Sequence, residues 1–388
     1  MDCLDRFAGR EAEMHTAYAP YRVCPLGAHI DHQKGIVTGF AIDKGVTLRF
    51  GVNDDPSVSL ESVGFPGKVE FSLLNIPAKS GDWGDFAMAS AYALRLQGYE
   101  LHRGITGVIQ GTLPVGGLSS SAAVILCYLK ALMLANGIEL DDEKLVSLSL
   151  VPEHEYIGLD NGMLDQACEV LCRKNSLLVL DTQSGLHSLI PVNPAMPDFS
   201  IMVVYSGVSR KLGSGYNMRV DEAKSASYCL KAFSSSKYGS FKDSVLRDVP
   251  YDVFLQYKDK LPDNFRKRAE HYYSEMDRVQ SGIEAWKEGD IHRFGSLMFQ
   301  SGRSSIENWE TGSPELIEIS RILENTDGVY GGRFSGAGFK GSCIALVDPA
   351  QKDSIRKAVA EAYLGKFPEC SETFGIFFCK TSDGAWCR

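Results

Sequence analysis

The sequence predicts an α+β protein with two lobes, and three observations support this. A chain of 388 residues is longer than one ordinary domain. Short β-branched runs broken by glycine and proline fill the first part, whereas helical patterns dominate residues 220 to 325. Three prolines lie between Pro191 and Pro197, as in a domain joint. We therefore predict an N-terminal domain over 1–195 and a C-terminal domain over 196–388.

Composition narrows the functional class. The net charge of −9 argues against a general nucleic-acid or anionic-membrane surface. The sequence contains no run of 18 apolar residues, so it predicts no membrane span. The charged start MDCLDRFAGREAEM lacks the apolar segment of a signal peptide. We therefore expect a cytoplasmic protein. Its ten cysteines are scattered, so we expect reduced core residues, and Cys168 with Cys172 lacks the second ligand pair of a zinc site.

The N-terminal part begins with strands. Ala17 to Val52 and Val58 to Leu74 are typical of antiparallel strands and turns, with a polar knot between the first strands. Trp83 to Gln97 has helical spacing, and Trp83 itself is either a core residue or a face for an adenine ring. Ile105 to Gln110 is a further strand. The knot comprises Arg22, His29, Asp31, His32, Gln33 and Lys34.

The central stretch is LPVGGLSSSAAVILC, Leu113 to Cys127. Glycines let the backbone approach a bulky anion, and a helix beginning near Ser120 offers unpaired N–H groups and a partial positive charge. Taken alone, the string fits a phosphate cradle and a glycine turn before a core helix equally well. The helix from Ser121 to Asn136 is apolar nearly all round, so we expect it to be buried, with Gly137 at its end.

The rest of the sequence predicts further helices and strands separated by loops. A helix over Asp141 to Leu150 is followed by a glycine loop within Pro152 to Val170 and by a buried strand over Ser176 to Asp181. Ser200 to Tyr205 predicts a strand, and Val329 to Val347 predicts a glycine-rich loop running into another. A helix (Ser354 to Tyr363) and a strand (Thr373 to Cys379) close the chain.

Common nucleotide motifs do not account for these loops. The sequence contains no GxxxxGK[ST], which excludes a P-loop. Gly336, Gly338 and Gly341 satisfy GxGxxG, but a strand follows where a dinucleotide fold needs a helix. No HRD or DFG follows either, which argues against a protein kinase.

Several strings together resemble the GHMP small-molecule kinases, within them the galactokinase branch, and most closely the galacturonokinases. These strings are YRVCPLGAHIDH, PVGGLSSSAA, EHEYIGLDNGMLDQ, RAEHYYSEMDRV, SSIENWETGSPEL and GGRFSGAGFKGSC. The resemblance runs through most of the chain. It implies a two-lobed GHMP kinase fold, with a ribosomal-protein-S5-like N-terminal domain and an α/β C-terminal domain, and a sugar kinase that uses ATP and Mg²⁺.

The resemblance also implies roles for individual residues. Asp165 matches the aspartate beside the anomeric hydroxyl of the sugar, and Arg22 the arginine next to it. Ser121 and Glu153 match the positions that hold Mg²⁺ and phosphate. The implied sugar contacts are Ala28, His29, Asp31, Gly162 and Tyr216. The implied nucleotide contacts are Trp83, Gly116, Gly117, Leu118, Ser119, Ser120, Ser121 and Ala122.

One departure from the family bears on the sugar. Galactokinases read GEHTDY where this chain reads Gly27-Ala28-His29-Ile30-Asp31-His32, and the missing glutamate is expected to hold the C6 hydroxymethyl group. A glutamate about 4 Å from a C6 carboxylate would cost about 1 kcal/mol in water and about 4 kcal/mol at an effective dielectric near 20. Ala28 therefore fits a uronic acid better than it fits a neutral hexose. Candidate partners for the carboxylate are Arg210, Lys211, Arg219, Lys34, His32 and backbone N–H groups.

These observations leave three functions to separate. The leading expectation is phosphorylation of D-galacturonate at C1, the second is a galactokinase, and the third is a non-catalytic sugar sensor. The expected partners are a small sugar acid and ATP, without nucleic acid or membrane. The chain is expected to be a monomer or a simple homo-oligomer.

Overall fold

A computed structural model describes residues 13–114, 116–159, 161–208, 215–235 and 239–388. Within these residues the structure has two sheets, each covered by helices. The strands predicted for the first part of the sequence are present, although the strand over Ile36–Val52 is longer than the short runs that the sequence predicts. The strands of the N-terminal half are β1 (Met14–Val23), β2 (Ile36–Val52), β3 (Ser57–Ser62), β4 (Lys68–Ser72), β5 (Ile105–Gly111), β6 (Ser176–Asp181) and β7 (His187–Pro191).

Helices cover one side of this sheet. The helix α2 is apolar on nearly every side and is buried along most of its length, as its sequence predicts. After α3 the chain continues into a wide helical turn at Pro152–Ile157, where the sequence suggested only a glycine loop. The helices are α1 (Asp85–Leu96), α2 (Ser120–Ala135), α3 (Asp142–Val151) and α4 (Leu164–Leu171).

The C-terminal half forms a four-stranded antiparallel sheet packed against long helices. Its strand order is β11-β8-β10-β9, and all six residues of β8 and of β10 are buried. The strands are β8 (Ser200–Tyr205), β9 (Val329–Phe334), β10 (Ser342–Val347) and β11 (Gly375–Cys379). The helices are α5 (Gly215–Phe233), α6 (Tyr251–Tyr257), α7 (Asp263–Glu288), α8 (Ile291–Glu307), α9 (Pro314–Glu324) and α10 (Lys352–Lys366).

The end of the chain returns to the first sheet. Two short strands, β12 (Thr381–Ser382) and β13 (Trp386–Cys387), pair with β2 and β1. The first sheet thus has the order β13-β1-β2-β5-β3-β4, with β6 also paired to β2. The sequence pattern gave no sign of these strands because each has only two residues. The division at residues 195 and 196 stays a prediction, and this last segment crosses it.

Three further findings bear on the sequence predictions. The nine cysteines within the described residues are free thiols, and most are buried. The described residues contain no group of three or more His, Cys, Asp or Glu side chains arranged to hold a metal ion. None of the described helices has both the length and the apolar character that crossing a membrane requires.

Candidate active site

A cavity of about 390 Å³ lies where the N-terminal sheet, the phosphate loop and the C-terminal half meet. Its walls come from β1, the turn after it, α2, α4, α5 and the glycine-rich loop after β9. Most of the residues predicted from the sequence line this one space. They are Arg22, Ala28, His29, Asp31, Ser121, Glu153, Gly162, Asp165 and Tyr216.

Arg22 and Asp165 form an ion pair in this cavity. The Arg22 Nε donates to Asp165 Oδ1 at 2.6 Å, and Arg22 is only 4% exposed. The pairing of β1 with β2 shifts register between Pro20 and Arg22, and such a bulge re-aims a side chain. Although burial alone would lower the pKa of Arg22, the charge and hydrogen bond of Asp165 raise it. Asp165 lies in the first turn of α4, where the helix dipole favours a negative charge.

Arg22 also contacts the phosphate loop, which we define as Gly116 to Ser121. Its Nη1 donates to the Gly117 carbonyl at 3.1 Å, and its backbone N–H donates to the Leu118 carbonyl at 3.4 Å. Ser335, from the loop after β9, donates its hydroxyl to the same Gly117 carbonyl. One arginine thus connects Asp165 to the loop expected to bind phosphate.

The phosphate loop packs backbone against backbone on the glycine-rich loop after β9. A Cβ built on Gly116 would lie 2.8 Å from the Cα of Gly341, and one on Gly341 would lie 2.6 Å from the carbonyl carbon of Gly116. A Cβ on Gly117, whose φ is +79°, would lie 2.7 Å from the Ser335 carbonyl oxygen. These contacts require glycine on both sides.

Ser119 lies directly before α2. Ser119 occupies the N-cap position with a left-handed φ of 64°, and its side chain makes no capping hydrogen bond. Its buried hydroxyl has no hydrogen-bond partner among the described residues. The N–H groups of the first turn are therefore not satisfied by this side chain, which agrees with a helix start suited to an anion.

Ser121 and Glu153 both line the cavity, and the Ser121 hydroxyl is one of the groups close enough to influence the Glu153 carboxyl. Glu153 Oε2 accepts hydrogen bonds, at 2.6 Å each, from the side-chain amides of Asn161 and Gln166. Burial raises the pKa of Glu153, and these hydrogen bonds oppose the rise. The buried Asn161 Oδ1 has no hydrogen-bond partner in the described part of the chain. A carboxylate, a hydroxyl and an amide oxygen are hard oxygen donors, so this set fits Mg²⁺.

The turn after β1, Gly27 to Asp31, forms another wall, and we call it the sugar turn. Ala28 is 7% exposed and lines the cavity. His29 has a left-handed φ of 61°, and its ring stacks on Trp309 with centroids 5.3 Å apart. Burial, with neighbouring positive groups, lowers the pKa of His29 well below its usual value, so the ring is neutral. Its buried Nε2 has no hydrogen-bond partner among the described residues.

Asp31 closes the turn near the Arg22–Asp165 ion pair. Burial raises the pKa of Asp31 to about 6, and the charge of Asp165 adds to the rise, while the N–H groups of His32 and Leu164 oppose it. Gly162 packs against it, since a Cβ there would lie 2.1 Å from Asp31 Oδ2.

Tyr216, in the first turn of α5, also lines the cavity. Its ring lies edge-on to His32, with centroids 6.3 Å apart.

Other predicted residues are placed less directly. Leu118 and Ala122 are buried, so they would meet a nucleotide through their backbone. Trp83 is partly buried, its Nε1 donates to the Pro66 carbonyl at 3.2 Å, and it is not among the residues lining the cavity. Its assignment to adenine, like that of Ser120 to phosphate, stays a prediction.

The arginines and lysines considered for a sugar carboxylate differ in their surroundings. Arg219 is engaged by the backbone carbonyls of Trp309 and Glu310. Lys34 is exposed outside the cavity lining. Arg210 and Lys211 lie outside the described residues.

Sequence reasoning missed several contributors. Asn161 and Gln166 were quoted within a motif but not singled out, although their amides hold Glu153. Ser335 donates to the phosphate loop from more than two hundred residues away. The strings RAEHYYSEMDRV and GGRFSGAGFKGSC, which carried the resemblance, were the available signal for the C-terminal contributors.

The chain matches two family models in sequence order. Residues 86–173 match the GHMP kinases N-terminal domain, and residues 283–364 match the GHMP kinases C-terminal domain. A galacturonokinase from Arabidopsis thaliana is 36% identical over 99% of this chain and 96% of its own length. A galactokinase from Thermococcus kodakarensis is 32% identical over 92% of this chain and 97% of its own length.

Solved structures agree with this assignment. Lactococcus lactis galactokinase complexed with galactose superposes with a TM-score of 0.89 at 27% identity, covering 98% of each chain. The mevalonate kinase of Methanococcus jannaschii, at 17% identity and a TM-score of 0.67, shares the fold. The chain therefore belongs to the GHMP kinase family, and it is an ATP-using sugar 1-kinase of the galactokinase and galacturonokinase type.

Proposed function

We propose that the protein transfers the γ-phosphate of ATP to the anomeric hydroxyl of D-galacturonate and forms galacturonate 1-phosphate. The observation that carries this proposal is Ala28, a small neutral residue in the cavity wall. The resemblance to galactokinases puts a glutamate at this position. In a galactokinase, a sugar carboxylate would be repelled by the charge of that glutamate. In this chain, Ala28 carries no charge at the same position.

The charge of the cavity makes this position decisive. Three carboxylates already line it, from Asp31, Glu153 and Asp165. Among the described lining residues Arg22 is the only Arg or Lys, and it is paired with Asp165. A further carboxylate at position 28 would add repulsion against an acidic sugar in a partly desolvated space. An alanine leaves that repulsion out.

The relatives support the same choice. The Arabidopsis thaliana relative at 36% identity is named a galacturonokinase, whereas the relative from Thermococcus kodakarensis at 32% is named a galactokinase. Galactose is the second candidate, since the structural neighbour at a TM-score of 0.89 is complexed with galactose.

The sugar would lie between the sugar turn and Asp165. Neutral His29 and the Asp31 carboxylate would bind sugar oxygens, because both residues line the cavity and the buried His29 Nε2 has no hydrogen-bond partner among the described residues. Gly162 leaves room beside Asp31, and Tyr216 lines the wall on the side of α5. This placement directs the anomeric hydroxyl toward Asp165.

Transfer then requires positioning more than a strong base. Phosphoryl transfer passes through a loose transition state, so the sugar oxygen carries its proton until the new O–P bond is well advanced. Asp165 would orient that hydroxyl and accept its proton late. The O–P bond to the sugar forms as the bond from the γ-phosphorus to the bridging oxygen breaks, and ADP leaves with that electron pair.

Arg22 and the phosphate loop would neutralise the transferring group. The Arg22 guanidinium holds both Asp165 and Gly117, so its charge lies between the acceptor and the phosphates. Ser121 and Glu153 would hold Mg²⁺, which supplies charge neutralisation on the β- and γ-phosphates when bound. Gly116, Gly117, Ser119 and Ser120 would offer backbone N–H groups to phosphate oxygens.

The test is ADP release with MgATP and each of galacturonate, glucuronate, galactose and fucose. We expect the highest kcat/KM with galacturonate. A much higher value with galactose would overturn the argument from Ala28, and no sugar-dependent release at all would favour a sensor.

The variant Ala28→Glu tests the physical cause. We expect kcat/KM for galacturonate to fall by about fivefold to a thousandfold, which corresponds to about 1 to 4 kcal/mol of repulsion. The value for galactose should fall much less. Equal losses for both sugars would point to steric exclusion instead of charge.

A further inference from the structure

Two side chains of the long helix α7 form hydrogen bonds with the backbone of the sugar turn. The Gly27 N–H donates to Glu275 Oε1 at 2.8 Å, and His271 Nε2 bonds the Ala28 carbonyl at 2.9 Å. Positions 271 and 275 are four residues apart, so they share one face of the helix. Two adjacent side chains of α7 thus hold the backbone on both sides of the Gly27–Ala28 bond.

The hydrogen-bond roles of His271 are fixed by its partners. Since a carbonyl oxygen only accepts, Nε2 must carry the proton, and Nδ1 then accepts from the Ser304 hydroxyl at 2.9 Å. Burial lowers the pKa of His271 to about 4, although Glu275 and the Ala28 carbonyl oppose the shift. The ring is therefore neutral, in one tautomer, throughout the physiological range.

Glu275 is fixed as an anion by the surrounding C-terminal half. Burial would raise its pKa, but the charges of Arg278 and Arg333 and the hydrogen bond from Ser301 help to lower it to about 2. Arg278 Nε donates to Oε2 at 2.7 Å, and Ser301 donates its hydroxyl to Oε1 at 2.6 Å. Removing Glu275 would leave buried cations without a partner, so His271 is the cleaner position to probe.

The sugar turn also packs tightly against β2. Gly27 has a φ of 95°, and a Cβ there would lie 2.6 Å from the Cα of Val37 in β2. Next in the chain, His29 stacks on Trp309, whose ring centroid also lies 5.6 Å from that of His271. The turn is confined between β2 and α7, so a change at His271 is transmitted to the positions of Ala28 and His29.

We propose that His271 is a positioning residue that sets the place of the Ala28 wall and so contributes to sugar affinity and selectivity. This inference rests on the proposed function, in which the sugar turn faces the sugar. His271 does not touch the substrate. It acts by donating a hydrogen bond to the Ala28 carbonyl. Without that hydrogen bond, the sugar turn could shift.

The test compares His271→Phe with His271→Gln. Phenylalanine keeps an aromatic ring beside Trp309 but removes the donor, whereas glutamine keeps an N–H donor. We expect His271→Phe to raise the KM for the sugar about tenfold, since a lost buried hydrogen bond is of that order. The KM for ATP should stay within about twofold, the ratio of galacturonate to galactose kcat/KM should fall, and His271→Gln should recover most of the loss.

A matched control is His292→Phe, which makes the same substitution at an exposed position of α8, where the ring lies edge-on to Tyr330. It should leave both KM values unchanged. An unchanged sugar KM in folded His271→Phe, or an equal rise of the sugar and ATP KM values, would overturn the proposal.

Ser304→Ala covers the case in which His271→Phe does not fold. It removes the hydroxyl that bonds Nδ1 on the other side of the His271 ring and so helps to hold the ring in place. A smaller rise in the sugar KM is expected, and no rise would count against the proposal. If wild-type protein prefers galactose, the proposed substrate is wrong, but the same comparison of KM values with galactose still decides the role of His271.

Discussion

The phosphate loop and the sugar turn are held in place by opposite means. The phosphate loop lies glycine against glycine on the loop after β9, with backbone atoms as neighbours on both sides. The sugar turn is held by buried side chains of α7 that bond its N–H and its carbonyl. A backbone cradle allows few substitutions, whereas a turn held through its backbone can present different side chains. The contrast suits an enzyme whose phosphate donor is fixed and whose sugar varies among relatives.

Arg22 and Asp165 connect these two regions, so the largest effect is expected there. Asp165→Asn keeps an oxygen that can accept from Arg22 but no longer accepts a proton. We expect kcat to fall by about a thousandfold, within the usual range for a lost acid–base group, while sugar binding measured by calorimetry persists. Loss of binding together with turnover would instead mean that Asp165 holds the sugar turn in place.

A matched pair elsewhere provides the control. Asp181 bonds Arg247 at 2.8 Å with similar partial exposure, away from the cavity lining. Asp181→Asn removes the same charge from the same kind of pair, and such pairs contribute about 1 kcal/mol or less when partly exposed. We expect unchanged kcat. A large loss there would show that charge removal alone disturbs the enzyme.

The glycine contact predicts a smaller and differently placed effect. Gly341 has a φ of 93° and abuts the carbonyl carbon of Gly116, so Gly341→Ala must displace the phosphate loop. A left-handed non-glycine residue costs about 1 to 3 kcal/mol. We expect the KM for ATP to rise about tenfold or more, with a smaller change in the sugar's dissociation constant.

Gly365→Ala is the counterpart without a neighbour. Gly365 lies in α10, and a Cβ there would meet nothing within 4 Å. Alanine is the better helix former by about 1 kcal/mol, so thermal stability should rise slightly while both KM values stay the same. If the two glycine variants behave alike, contact between the loops does not support ATP binding.

The same contrast explains how far the sequence could be interpreted. Gly116, Gly117 and the serines after them depend on local backbone geometry, so a string of fifteen residues indicates a glycine turn before a helix, and the resemblance to the family adds the expectation of a phosphate cradle. Asp165 and Arg22 were placed by resemblance, and the structure brings them to 2.6 Å. The strand and helix pattern was recoverable because most elements are long enough to show their period.

Long-range contacts account for what the sequence could not predict. Gly27 and Glu275 are 248 positions apart, and the local pattern around either one indicates only a turn and a helix. The bulge that aims Arg22 and the two-residue strands β12 and β13 depend on pairing across the sheet. The turn at Pro152–Ile157 was assigned to a loop, because proline usually ends a helix. Each of these features needs a partner that has no local signature.

The smallest expected effect separates the two regions by pH. Asp31 belongs to the sugar turn, and burial together with the charge of Asp165 raises its pKa to about 6. If the ionised carboxylate binds the sugar, kcat/KM for the sugar at saturating MgATP should fall about tenfold between pH 7 and pH 5, following the ionised fraction. In Asp31→Asn we expect kcat/KM for the sugar to be lower at pH 7 and to show no further fall between pH 7 and pH 5.

The sign of the stability change distinguishes this titration from acid unfolding. A carboxyl whose pKa is higher in the folded state binds its proton more tightly there, so its contribution to stability is largest below its unfolded pKa near 4 and is lost as pH rises through 6. On acidification from pH 7 to pH 5, Asp31 should therefore stabilise the fold while activity falls. The difference in melting temperature between wild type and Asp31→Asn isolates this group from Glu153, whose pKa is also raised. A parallel loss of activity and of relative stability would assign the acid limb to unfolding and remove Asp31 from the sugar turn's binding groups.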